Sequence, residues 1–128
     1  VNITKTYFML MVSDMDRAVV FYRDTVGLSL AFQSPDWSEL PCGPGAVVAL
    51  HGGGGGESVA TGLGFETDDV DAACASVEAG GGAVISPPVE RSGEGIRLAQ
   101  CSDTEGNRFT LAQPVSGDGG PATSGWVQ

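Results

Sequence analysis

Positive charge is scarce in this chain: six Lys and Arg stand against sixteen Asp and Glu, a formal net charge of −10 with one histidine. A surface that acidic repels phosphate backbones and anionic bilayers, so neither nucleic acid nor a membrane is an expected partner. It attracts a cationic small molecule or simply confers solubility, and solubility is the more ordinary reason. Cysteine is scarce too. Cys42, Cys74 and Cys101 are odd in number and widely spaced, with no Cys-x-x-Cys, and read as reduced buried thiols, not as a disulfide framework or a zinc knuckle. No apolar run approaches the roughly 20 residues that cross a bilayer. Val1-Asn2-Ile3-Thr4-Lys5 does not open onto a signal peptide's long apolar stretch. The three absences together predict a cytoplasmic protein.

What the 128 residues do have is glycine, 20 of them, and 41% apolar side chains, enough for one ordinary domain or two small modules sharing a core. Five glycines run from Gly52 to Gly56, near the midpoint. No Lys-Ser or Lys-Thr follows and no helix starts there, so the run is a flexible linker and not a phosphate loop.

On either side of it the chain repeats itself. Val12-Ser13-Asp14-Met15-Asp16-Arg17-Ala18 closes an apolar strand and opens a helix, and Thr67-Asp68-Asp69-Val70-Asp71-Ala72-Ala73 does the same 55 residues later. Asp14 and Asp69 are suited to cap those helices, and Asp16 adds favourable charge in a first turn. The first half reads as a strand over 5–13, a helix with Ala18, Phe21, Tyr22 and Val26 on one stripe ended by Gly27, and strands at 28–33, 37–41 and 46–51. The second reads as a strand at 61–67, a helix at 70–79, and strands near 83–86, 95–101 and 108–113. Each half is βαβββ, and the fold class is α+β. One domain is expected over 1–113, made of module 5–51, linker 52–60 and module 61–113. Residues 114–128 are expected to form a flexible tail, with Trp126 the one residue suited to dock it back.

Four segments carry a family resemblance: Met11 to Ala18, Phe21-Tyr22-Arg23-Asp24-Thr25-Val26-Gly27-Leu28, Leu63 to Ala72, and Asp103-Thr104-Glu105-Gly106-Asn107-Arg108-Phe109-Thr110-Leu111. With these the chain resembles the glyoxalase, bleomycin-resistance and dioxygenase superfamily, the vicinal oxygen chelate proteins, from about residue 5 to residue 113. The resemblance implies paired modules forming a U-shaped cleft, often completed by a second subunit, and hence a homodimer. Metal-dependent members take ligands from the first and last strands of each module. Those places here are Tyr7, Gly62, Ala49 and Thr110, with Ala49 placed by matching Gly45-Ala46-Val47-Val48-Ala49-Leu50 onto Gly106-Asn107-Arg108-Phe109-Thr110-Leu111. None is His, Glu or Asp, so no metal site and no cofactor is expected; a divalent metal held by atypical ligands is the alternative.

Strand alternation from these anchors assigns four sets to the cleft: Tyr7, Met9 and Met11; Val47, Ala49 and His51; Gly62, Gly64 and Glu66; Arg108, Thr110 and Ala112. Trp37 and Phe32 are candidate stacking surfaces, or ordinary core. His51 is a weak candidate base, or an exposed strand end; Glu66 is another candidate base, a lure for a cationic ligand, or the ion-pair partner of Arg108. Cys101 reads as an inert buried thiol, and Asn107 as part of the turn into the last strand. The expected function is metal-free binding or sequestration of an apolar or aromatic small molecule, as in the drug-sequestering members. The alternatives are a lyase, isomerase or dioxygenase with atypical metal ligands, and a non-catalytic scaffold for protein association.

Overall fold

In each half of the chain one helix covers one face of a four-stranded sheet, as seen in a computed structural model describing residues 1–115. The first module contains β1 (Thr6–Val12), α1 (Met15–Val20) running into a π-helical turn (Phe21–Thr25), then β2 (Phe32–Gln33), β3 (Trp37–Gly43) and β4 (Ala46–Gly52). The second contains β5 (Val59–Glu66), α2 (Val70–Ala79), β6 (Ala83–Arg91), β7 (Ile96–Ser102) and β8 (Asn107–Pro114). Sheet order is β1-β4-β3-β2 in one and β5-β8-β7-β6 in the other, so the duplication read in the sequence is a duplication of topology. In each, the first strand lies parallel to the last, which requires the helix as a crossover. Among the described residues no helix is long and apolar enough to cross a membrane.

Both helices start where the aspartates place them. Asp14 accepts from the Arg17 backbone N–H at 3.1 Å, and Asp69 from that of Ala72 at 3.0 Å. The expected strand at 28–33 shrinks to Phe32–Gln33. The π turn and Gly27, at φ +93°, send Leu28 back against the helix, where its N–H reaches the Tyr22 carbonyl at 3.0 Å. Pro114 ends β8 and Val115 follows it with its N–H on the Gly95 carbonyl; the rest of the expected tail, Trp126 included, lies outside the described residues.

The two helix-covered faces share one core. Leu10, Leu40 and Leu50 of the first sheet join Leu63, Phe109 and Leu111 of the second, around Phe21 and Tyr22. Phe21 meets Phe109 edge-on with centroids 6.2 Å apart, so a side chain of one module packs directly on a strand of the other. A polar staple closes the same junction. The Glu105 side chain, 1% exposed, accepts from the Ser13 and Asp14 backbone N–H groups, the Ser13 and Thr104 hydroxyls, and the Arg17 guanidinium, all at 2.7–3.2 Å. Asp103, buried, accepts the Tyr22 hydroxyl at 2.6 Å and the backbone N–H groups of Glu105 and Asn107. Asn107 reaches across to the Met11 carbonyl at 3.0 Å. The sequence reading gave Asn107 a turn role only; it also ties β8 to β1.

Cys74 and Cys101 are buried and Cys42 is exposed. Burial is the main force pushing the Cys101 thiol up to about 12, and it raises Cys74 as well. Native protein treated with iodoacetamide near neutral pH is therefore expected to label at Cys42 alone, and at all three cysteines after denaturation, as counted by mass spectrometry.

Candidate functional site

The faces turned away from the helices stay open, and the first sheet's open face is the more apolar. Register places Tyr7 opposite Val47, Met9 opposite Ala49, and Met11 opposite His51, while Trp37, Glu39 and Pro41 face the same three β4 residues from β3. Phe32 joins them opposite Glu39. Tyr7, Met9 and Phe32 are 53%, 48% and 53% exposed, Tyr7 and Met9 on one edge strand of the sheet and Phe32 on the other. Tyr7 meets Trp37 edge-on at 5.6 Å, and Trp37 meets His51 edge-on at 6.0 Å. Trp37 and His51 are register partners across β3 and β4, and Tyr7 of β1 meets the Trp37 ring. Ala49 lies in register between them and is fully buried, so it forms a floor under the rings and not an open cleft wall.

The Trp37 indole is fixed from below. Its Nε1–H donates to Glu39 at 2.9 Å, and Lys5 donates to the other carboxylate oxygen at 3.0 Å. The indole N–H first and the ammonium next hold the Glu39 carboxyl below its ordinary value. Glu39 was not singled out in the sequence, although its two-residue spacing from Trp37 puts both on one strand face.

The second sheet supplies a different wall. Ala60 pairs with Arg108 and Gly64 with Thr110, so β5 spends four residues where β8 spends two. This bulge moves Gly62 out of the simple alternation expected for it, with φ +80°. The Thr61 hydroxyl bridges the gap, donating to the Arg108 carbonyl at 2.6 Å and accepting the Leu63 N–H at 3.0 Å. Gly64 bares the strand beside Thr110, because a Cβ there would stand 2.7 Å from the Thr110 hydroxyl. The bulge also separates the charges expected to pair: Glu66 stands opposite Ala112, four residues or about 13 Å along β8 from Arg108.

Two cavities lie along these strands. One, about 500 Å³, runs between the edges of β1 and β5 and is lined by Met9, Met11, Glu57, Ala60 and Thr61 among others. The second, about 190 Å³, lies behind the bulge with Arg108, Thr110 and Gln100 in its lining. Ala60 and Thr61 belong to both.

The four places that metal-dependent relatives use do not fit a metal. Gly62 has no side chain, Ala49 has no donor and is fully buried, and Thr110 and Tyr7, on different sheets, offer only a hydroxyl and a phenol. Among the described residues no three His, Cys, Asp or Glu side chains cluster elsewhere to replace them. His51 is exposed, and its Nδ1 lies 2.7 Å from the Gly52 carbonyl. A carbonyl only accepts, so in this contact Nδ1 carries the proton and donates it. Glu66, the other candidate base, is at the far end of β5, beyond the bulge.

A sequence model of the Glyoxalase/Bleomycin resistance protein/Dioxygenase superfamily matches residues 6–111. An uncharacterized protein of Mycolicibacterium smegmatis is 32% identical over 110 residues, covering 84% of this chain and 90% of that protein. Among solved structures, TnmS3, an antibiotic binding protein from Streptomyces sp. CB03234, is 32% identical with a TM-score of 0.68, over 89% of this chain and 96% of its own. A family enzyme from Burkholderia phytofirmans PsJN superposes with a TM-score of 0.74 at 19% identity, over 90% and 100% of the two chains, a likeness of fold alone.

Proposed function

This chain belongs to the Glyoxalase/Bleomycin resistance protein/Dioxygenase superfamily, and on that premise we propose that it binds and sequesters an apolar or aromatic small molecule without a metal. The observation that carries this is the ring set Tyr7–Trp37–His51, exposed at Tyr7 and His51 and half-buried at Trp37, on a sheet that also exposes Met9, Met11 and Phe32. Rings packed edge to face present a wall of aromatic edges and remaining faces to a planar ligand, and methionines adapt to its outline. The likeness to an antibiotic binding protein at 32% identity supports the same reading. Binding is by capture alone; the open face provides a platform.

Calorimetric titration with bleomycin and a panel of planar polycyclic aromatics tests it. At least one compound is expected to bind, and Trp37→Ala to weaken that binding tenfold or more, about 1.4 kcal/mol. Silence across the whole panel, or a Trp37→Ala protein that binds as well as the parent, would count against the proposal.

A further inference from the structure

Five of the six basic residues are spoken for. Lys5 pairs with Glu39, Arg17 with Glu105, Arg23 with Asp24, Arg91 with Glu94 and Arg97 with Asp71. Arg108 makes none of the ion pairs of the described residues, although the chain carries sixteen carboxylates. Its Nε is buried and has no hydrogen-bond partner. A guanidinium with a buried unsatisfied N–H is a costly group to keep, and such a group calls for a ligand that completes it.

The surroundings say what kind. Arg108 lines the smaller cavity, whose lining holds Gln100 and Thr110 but no acidic residue. Thr110 and Gln100 are register partners, and Arg108 lies on the same face of β8 two residues away, about 7 Å. The bulge at Gly62 and the missing side chain at Gly64 leave the approach to them free of bulk. Glu57, the acidic residue of the larger cavity, stays out of this one. Ala60 and Thr61 also line the neighbouring space that Met9 and Met11 of the aromatic face line.

We infer that Arg108, with Gln100 and Thr110, forms an anion subsite, and that the ligand is an aromatic molecule bearing a carboxylate or comparable anionic oxygen. The inference rests on the aromatic-face reading and adds the ligand's charged end. Guanidinium is suited to this because it presents N–H donors in a fork that matches a carboxylate. The sense is opposite to what the net charge of −10 alone favours.

That opposition makes the test sharp. Affinities of 2-naphthoate, 2-naphthamide and 2-naphthylmethylammonium are measured by calorimetry on the full chain, the parent beside Arg108→Gln, Arg108→Lys and Trp37→Ala. The parent is expected to prefer naphthoate over both analogues at least tenfold, and more so at low salt. Arg108→Gln should bring the naphthoate-to-naphthamide ratio to within about twofold of unity, and Arg108→Lys should restore part of it. Trp37→Ala should weaken all three while keeping the preference. A parent with no preference for naphthoate, or an Arg108→Gln protein that keeps it, overturns the anion subsite and leaves the aromatic platform standing if Trp37→Ala still weakens binding. Absence of binding by all three overturns both readings.

Discussion

Glu105→Gln is expected to lower the unfolding free energy by about 3 kcal/mol, seen as a lower urea midpoint at unchanged slope. The substitution keeps the volume but swaps one accepting oxygen for an NH₂ group, which faces the Arg17 Nε–H if the amide oxygen stays on the Ser13 and Asp14 N–H groups, and faces those two N–H groups if the amide is turned over. Half of the Arg17 side chain is exposed (52%), so the guanidinium can turn back to water, and the loss falls at the low end for a broken buried ion pair. The two backbone donors cannot turn away, because they begin α1. A loss below about 1 kcal/mol would mean that water replaces the carboxylate at the module junction.

The same contact sets an acid limit. Burial pushes the Glu105 carboxyl up, but the bonds from Arg17, Thr104, Asp14 and Ser13 outweigh it and hold the group down at about 2. A depressed folded value means that the unfolded chain binds the proton first. The contribution is complete above about 4.5 and is lost as pH falls towards 2, at most about 3 kcal/mol. Other carboxylates titrate in that window, so the informative quantity is the parent minus Glu105→Gln difference. It should be largest near neutrality and shrink towards zero near pH 2.

Gly106→Ala is expected to cost about as much, roughly 3 kcal/mol, by a different route. Gly106 has φ +94°, a left-handed conformation that a Cβ opposes, and that Cβ would overlap the Glu57 carbonyl oxygen and stand 2.8 Å from its carbon. The opposing backbone has little room to retreat, being tied by Gly56 N–H to the Glu105 carbonyl and Val59 N–H to the Gly106 carbonyl. Gly93→Ala is the control: φ is +79°, but nothing lies within 4 Å, so only the backbone term of about 1–2 kcal/mol remains. Thermal unfolding should therefore place Gly106→Ala clearly below Gly93→Ala. Equal midpoints would show that the linker yields.

Much of the fold is legible because local rules and the tertiary result agree. Asp14 and Asp69 cap helices by contacts three residues along the chain, and alternation in β1 separates buried Leu10 and Val12 from exposed Tyr7, Met9 and Met11. The site is legible only in part. Alternation and the internal repeat put Tyr7, Met9 and His51 on a common face, which they share; the face of Trp37 was left open by the sequence, and only the β3–β4 register sets it beside His51.

Where alternation slips, the reading slips with it. The bulge after Ala60 adds two residues to β5, which displaces Gly62 and separates Glu66 from Arg108. Ala49 is on the right face yet buried, because its exposure depends on the size and lean of neighbours in two other strands. Sequence by itself determined the α+β class, the doubled βαβββ order, the helix starts and the poverty of metal donors, all set by residue type and short spacing. Only the tertiary structure decided that Glu105 spans 92 residues to reach Ser13 and that, among the described residues, Arg108 is the one Lys or Arg side chain outside the ion pairs. Those outcomes depend on which distant groups meet, and charge pairing and burial depend on distance in space, not along the chain.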